Sequence, residues 1–153
     1  MFTKGTFILS NKWDKRFLEM AGLVASWSKD PSTKVGTIAV RNRTVIAQGY
    51  NGFPRGIDDN DRLDNRTVKY MYIVHSEMNA IYNAAENGVS LKGSTIYTVG
   101  LPVCHDCAKG LIQVGIKRVV TPEIETPKRW LKSLSLTEEM FKEANIAWDR
   151  IKL

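Results

Sequence analysis

Both cysteines of this chain, Cys104 and Cys107, lie in the run Pro102-Val103-Cys104-His105-Asp106-Cys107, and one of its two histidines opens His75-Ser76-Glu77. Such scarce residues, grouped this way, require a fold that joins two distant segments. Hydrophobic spacing puts both motifs at helix starts. A β-rich run at residues 94–99 leads into the cysteines, and a helix follows Pro102 to about residue 114. His75 precedes a helix at residues 76–86, with Met78, Ile81, Tyr82 and Ala85 at helical spacing. Oriented backbone N–H groups at a helix start stabilise a thiolate. The Cys-x-x-Cys spacing lets both sulfurs reach one metal ion, and His75 supplies a third ligand. Three protein ligands are the count of a catalytic zinc site, whose fourth position takes water. Zinc lowers the pKa of that water to about 7. A general base must then stand beside the water without binding the metal, and Glu77 is placed for that.

Other readings of the same residues stay open at this level. Cys-x-x-Cys between strand and helix also suits a redox pair, which leaves His-x-Glu unused. A structural zinc site with His105 as fourth ligand is strained, because His105 lies between the two cysteines. A lone histidine at a helix start is often only a cap. Taken together, His-x-Glu followed by Pro-Cys-x-x-Cys is the pattern of zinc-dependent nucleobase deaminases. Here Val103 separates Pro102 from Cys104.

Charge and cysteine count narrow the setting. Among 153 residues, 22 Lys plus Arg against 16 Asp plus Glu give a net charge of +6. That balance suits a nucleic acid, or more simply a small anionic substrate or plain solubility. Two cysteines do not make a disulfide scaffold, and a reducing cytoplasm is the expected home. Residues 1–10 lack the long apolar stretch of a signal peptide. No run of about 18 apolar residues exists to span a membrane.

The remaining elements follow from periodicity. Trp13, Phe17, Met20, Ala21, Val24 and Ala25 mark an amphipathic helix over residues 12–27, ended by Asp30-Pro31. Strands at 35–40 and 44–48 form a hairpin with Asn42 in the link, and 49–56 is a loop. Residues 58–67 are polar and read as a surface excursion. Later come a strand at 117–120, a helix at 137–144 marked by Met140, Phe141 and Ala144, and a short strand at 146–151. The order α-β-β-α-β-α-β-α-β predicts one α/β domain over residues 1–153, a mixed sheet with helices on both faces.

The chain resembles the cytidine and deoxycytidylate deaminase superfamily, and within it the deoxycytidylate branch. The resemblance runs from about Trp13 to Val120. Its zinc motif marks the superfamily. Ser28-Lys29-Asp30-Pro31-Ser32-Thr33-Lys34-Val35-Gly36 and Gly49-Tyr50-Asn51-Gly52-Phe53-Pro54-Arg55-Gly56 point to the branch, with Lys69-Tyr70 and His75-Ser76-Glu77-Met78-Asn79-Ala80-Ile81 beside them. Two departures are Val103, inside the cysteine motif, and Ser76, where the family commonly has Ala. The segment after Thr121 matches less well.

The resemblance implies a three-layer α-β-α sandwich around a five-stranded mixed sheet. It implies zinc held by His75, Cys104 and Cys107, and hydrolytic deamination of dCMP to dUMP. In that reaction Glu77 moves the water's proton to cytosine N3, C4 is attacked, and ammonia leaves. It also implies that Asn51 contacts sugar or base and that the Ser76 backbone N–H reaches the pyrimidine carbonyl. Ser28 and Lys29 are candidates for the phosphate, with Lys34 and Arg55 behind them. Homo-oligomers, commonly hexamers, belong to the same expectation. So do activation by dCTP and inhibition by dTTP through residues 49–56, with Mg2+ accompanying a triphosphate effector. Nucleic acid is disfavoured as a partner, since the basic residues are scattered with no aromatic–basic stripe. The rival readings are deamination of CMP, dCTP or a modified cytidylate, a polynucleotide deaminase acting on tRNA or single-stranded DNA, and a non-catalytic zinc-bound nucleotide sensor.

Overall fold

The computed structural model describes the backbone of residues 4–153 and the side chains from residue 12 onward. Of residues 1–10, read above against a signal peptide, residues 1–3 lie outside the described residues and the side chains of the rest are not described. Among the described residues, no helix is long and apolar enough to cross a membrane.

The principal elements in chain order are α1 (Lys4–Ala25), β1 (Gly36–Arg41), β2 (Thr44–Tyr50), α2 (Arg66–Tyr72), α3 (Ser76–Glu86) and β3 (Thr95–Val99), then α4 (His105–Gln113), β4 (Arg118–Pro122), α5 (Leu131–Glu143) and β5 (Ala147–Ile151). Single 3-10 turns stand at Asp61–Leu63 and Lys128–Trp130. Asn42 and Arg43 join β1 to β2 at φ 52° and 58°. Positive φ at both central residues gives the turn whose twist matches a hairpin.

The strands form one sheet in the order β2-β1-β3-β4-β5. β1 is antiparallel to β2 and β3, while β3, β4 and β5 run parallel. Parallel neighbours need crossovers, which α4 and α5 supply. Side chains alternate along each strand. Ile38, Val40, Tyr97 and Val120 pack with Phe17 and Leu18 of α1. Their neighbours Ala39, Ile96 and Val119 pack with Ala84, Leu111 and Phe141 of α3, α4 and α5. This is the expected three-layer α-β-α sandwich, with α1 alone on one face.

A buried polar cluster fastens α1 to the sheet. The Tyr97 hydroxyl donates to Asp14 at 2.7 Å, Arg118 forks onto the same carboxylate at 2.9 and 2.8 Å, and it also reaches Asp149 at 2.6 Å. Two glycines set how closely helices approach. A Cβ on Gly36 would lie 2.2 Å from the Ala21 carbonyl oxygen of α1, and one on Gly49 would lie 2.3 Å from the Ala80 nitrogen of α3. On the other side of that contact, the Asn79 and Asn83 amides donate to the Tyr50 and Gln48 carbonyls, each at 2.7 Å. Together these contacts lock the start of α3 against β2.

Several boundaries differ from the periodicity reading. α1 starts at Lys4 rather than residue 12. β2 continues through Gly49 and Tyr50, because these pair with Thr37 and Gly36. Within and after the supposed polar excursion lies α2, a helix of 7 residues capped by Asn65, whose side chain accepts from the Val68 N–H. α5 begins at Leu131 rather than residue 137. There the Ser133 hydroxyl accepts the His105 backbone N–H at 2.9 Å, so α5 helps hold the start of α4.

Candidate active site

His75 and Cys104 are the N-cap residues of α3 and α4, both in extended backbone conformation. An isolated antiparallel bridge between Gly52 and Val74 holds the chain that delivers His75. The Cys104 sulfur accepts the Cys107 backbone N–H at 3.4 Å, the usual work of an N-cap side chain. The geometry brings all three predicted ligands together. His75 Nδ1 is 3.4 Å from each sulfur, and the three ligand atoms lie within 4.8 Å of one another. A tetrahedral ion with bonds of about 2.0–2.1 Å to nitrogen and 2.3 Å to sulfur puts such atoms about 3.6 Å apart. The donor set therefore fits zinc in type, number and spacing. His105 stands aside, its Nδ1 at 2.8 Å from the Ser133 hydroxyl.

The charges in this cluster depend on one another. A hydrogen bond from the Cys107 thiol holds Cys104 well below an ordinary thiol, at about 4, and His75 reinforces it. Cys107 is pushed up by sharing its proton with Cys104 and by burial. His75 is raised by its hydrogen bond to Cys104, against the opposing effect of burial. Glu77, on the first turn of α3, is only 3% exposed. Burial raises its pKa, and the Cys104 charge raises it further. A carboxyl whose proton is held more tightly than usual is suited to taking a proton from one group and passing it to another.

One cavity contains His75, Ser76, Glu77 and Cys104 in its wall, together with Asn51. Asn51 is buried and fully engaged: its Oδ1 accepts the Val35 N–H at 2.9 Å, and its Nδ2 donates to the Thr33 carbonyl at 2.9 Å and to Asp30 at 3.3 Å. Ser76 reaches the cavity from within a buried hydroxyl chain, Ser76 to Thr37 to Thr98, each link 2.8 Å. That chain gives the Ser76 hydroxyl, where alanine is common, a packing role between α3, β1 and β3. Val103 does not reach the cavity. Its side chain joins the core under α5 and its carbonyl accepts from Thr137 at 2.9 Å, so Pro102 and Cys104 still line the wall.

Ser28 and Lys29 are not brought to this wall. The Ser28 hydroxyl donates to the Asn51 carbonyl at 2.8 Å, behind the lining. Lys29 pairs with Asp59 at 2.9 Å with its side chain 70% exposed. The cations that do line the cavity are Arg66, Lys69 and Arg129. Lys69 is almost wholly buried and paired with Asp30 at 3.0 Å. Arg66 and Lys69 come from α2, too short to show a period. Only Asn65, a cap residue ahead of an apolar-aromatic run, could have signalled it.

Comparison with known proteins bears on the whole arrangement. Residues 11–123 match the family described as the cytidine and deoxycytidylate deaminase zinc-binding region. An uncharacterised deaminase from the luxG 3′ region of Aliivibrio fischeri is 39% identical over 138 residues, covering 89% of this chain and 91% of that protein. A probable deoxycytidylate deaminase of Drosophila melanogaster is 42% identical over 120 residues, covering 71% of this chain. The match spans only 58% of the Drosophila protein's length. In fold, the dCMP deaminase of cyanophage S-TIM5, solved with dCMP and dUMP, superposes with a TM-score of 0.72 at 23% identity, over 92% of this chain and 97% of that one.

Proposed function

This chain belongs to the cytidine and deoxycytidylate deaminase family, and we propose that it is a zinc-dependent hydrolase converting dCMP to dUMP and ammonia, a source of dUMP for thymidylate synthesis. The observation that carries this is the set of His75, Cys104 and Cys107 at zinc spacing, beside a buried Glu77, in one cavity. When bound there, zinc supplies a Lewis acid and a water that ionises near neutral pH.

The chain's own residues do the rest. Glu77 takes a proton from the attacking water and passes it to N3 of cytosine as C4 is attacked. It then takes the remaining proton from the new C4 hydroxyl and delivers it to the amino group, so that the C4 carbonyl forms as the C4–N bond breaks and ammonia departs. Burial of Glu77 keeps bulk water from competing for that proton. The Ser76 backbone N–H, at the start of α3, faces the pyrimidine carbonyl. Asn51 shapes the sugar and base wall, its amide held by Val35 and Thr33. Ser28 acts through Asn51, whose carbonyl its hydroxyl holds behind the wall, while Lys29 is paired with Asp59 on the surface outside the cavity.

The same reading takes residues 1–153 as one deaminase domain working in a cytoplasmic homo-oligomer. It places dCTP activation and dTTP inhibition, with Mg2+ on the triphosphate, at residues 49–56. The test is ammonia release from dCMP, CMP, dCTP, cytidine and a single-stranded oligonucleotide, each with and without dCTP–Mg2+ or dTTP–Mg2+. Deamination of dCMP well above the others is expected. Deamination of the oligonucleotide but not of dCMP would overturn the reading in favour of a polynucleotide deaminase.

A further inference from the structure

We propose that a cavity at the hairpin end of the sheet is a second ligand site, apart from the catalytic one, that takes a polyphosphate chain, free or carried by a nucleoside. This goes beyond the deaminase reading and does not depend on it.

β1 and β3 run from one cavity to the other. Gly36 pairs with Val99 at the catalytic end, beside the cavity-lining Val35, and Val40 pairs with Thr95 at the opposite end. Four residues of strand, at about 3.3 Å each, separate the two ends by roughly 13 Å. The far cavity measures about 350 Å³ and has an apolar wall of Trp13 and Phe17 from α1 with Val40 and Tyr97 from the sheet. That size falls within the range of small-molecule sites.

Its charge is one-sided. Arg41, Arg43, Lys117 and Arg118 line it, against Asp14 as the one acid. Asp14 is already committed, since it accepts from Tyr97 and takes the fork of Arg118, which also reaches Asp149. Arg41 donates to the Ser90 and Lys92 carbonyls at 2.7 and 3.2 Å, neutral partners that leave its charge in place. Among the described residues, neither Arg41, Arg43 nor Lys117 is ion-paired with a carboxylate. Arg16 adds a fourth such cation, its guanidinium 4.7 Å from the Trp13 ring centroid, with that of Arg43 at the same distance. Basic residues scattered along the chain thus meet in one concave place. Gathered like charges repel, and a ligand with several adjacent negative charges removes that repulsion. Guanidinium groups match phosphate oxygens in a planar, two-point fashion.

The backbone adds a second reason. Arg43 is the second central residue of the two-residue β1–β2 turn, at φ 58°. Glycine is the favoured residue there, because a side chain is strained at positive φ. The turn keeps an arginine in spite of that strain, and the strain is understandable if the guanidinium is needed at the cavity.

The test is calorimetric binding of inorganic triphosphate and of ATP to the zinc-loaded protein. Wild type is compared with Arg43→Gly, Lys117→Gln and the control Lys142→Gln, which removes an equal charge from the exposed face of α5. Arg43→Gly creates the preferred Asn-Gly turn, so it should melt no lower than wild type. Lys117 is exposed, so Lys117→Gln tests the site independently of the turn. Wild type should bind triphosphate, Arg43→Gly and Lys117→Gln should each weaken that binding by about tenfold or more, and Lys142→Gln should not. ATP bound no tighter than triphosphate would assign the site to the phosphate chain alone. Tighter ATP binding that Trp13→Leu returns to the triphosphate level would add a base held against Trp13. No binding by wild type, wild-type affinity in either Arg43→Gly or Lys117→Gln, or an equal loss in Lys142→Gln would overturn the proposal.

Discussion

His75 and Cys104 are 29 positions apart in the chain, yet each caps a helix and their Nδ1 and Sγ atoms stand 3.4 Å from one another. Two helix starts converge on one point because α3 is pressed onto β2 and α4 leaves the end of β3, two strands away in the same sheet. The metal site is thus a property of the sheet order as much as of the three ligands.

Metal removal should separate ligands from bystanders. Chelation is expected to abolish deamination, and added zinc to restore it. Cys107→Ala should lose the metal by elemental analysis, whereas His105→Ala should keep it, since His105 is tied to Ser133. Zinc binding only the folded chain also stabilises it by mass action, so the chelated protein should melt lower. Full zinc content in Cys107→Ala would contradict the assignment.

Much of this was legible in the sequence, for physical reasons. His75 and the cysteines are rare residue types, and with Glu77 two places after His75 they stand at a spacing few structures require. The strands of the sheet alternate or run apolar, and the helices over it carry apolar stripes, so both leave periodic traces. α2 did not, because a helix of 7 residues completes too few turns to show a period. The phosphate candidates Ser28 and Lys29 lie in a segment that packs against the site without entering it. Cavity lining by Arg66, Arg129 and Trp130 depends on tertiary placement, which local sequence does not encode.

Gly49 should be more sensitive than its strand position suggests. A methyl group there meets backbone atoms of Ser76 and Ala80 at 2.5 and 2.3 Å. Gly49→Ala must shift α3, costing about 1–3 kcal/mol and displacing Ser76 and Glu77. Gly36→Ala forces α1 instead and should cost similar stability. Melting curves and kcat together decide this: only Gly49→Ala should lose activity out of proportion to stability. Equal activity in the two variants would count against a positioning role for the α3–β2 contact.

The Asp30–Lys69 pair, 3.0 Å apart with side chains 5% and 4% exposed, should tolerate loss of both partners better than loss of one. Lys69→Met leaves a buried carboxylate and should cost about 3–5 kcal/mol in denaturant unfolding. Adding Asp30→Asn should return part of that. If the double variant is as unstable as the sum of the singles, the pair is not coupled in the way its geometry indicates.

The central claim is that Glu77 carries protons beside a zinc held by His75, Cys104 and Cys107. Its most direct test is the rate of dUMP formation from dCMP by Glu77→Gln, with zinc content measured in the same sample. The predicted result is a full complement of zinc and a kcat lower by about 10²–10⁴. Near-wild-type turnover with zinc retained would contradict it.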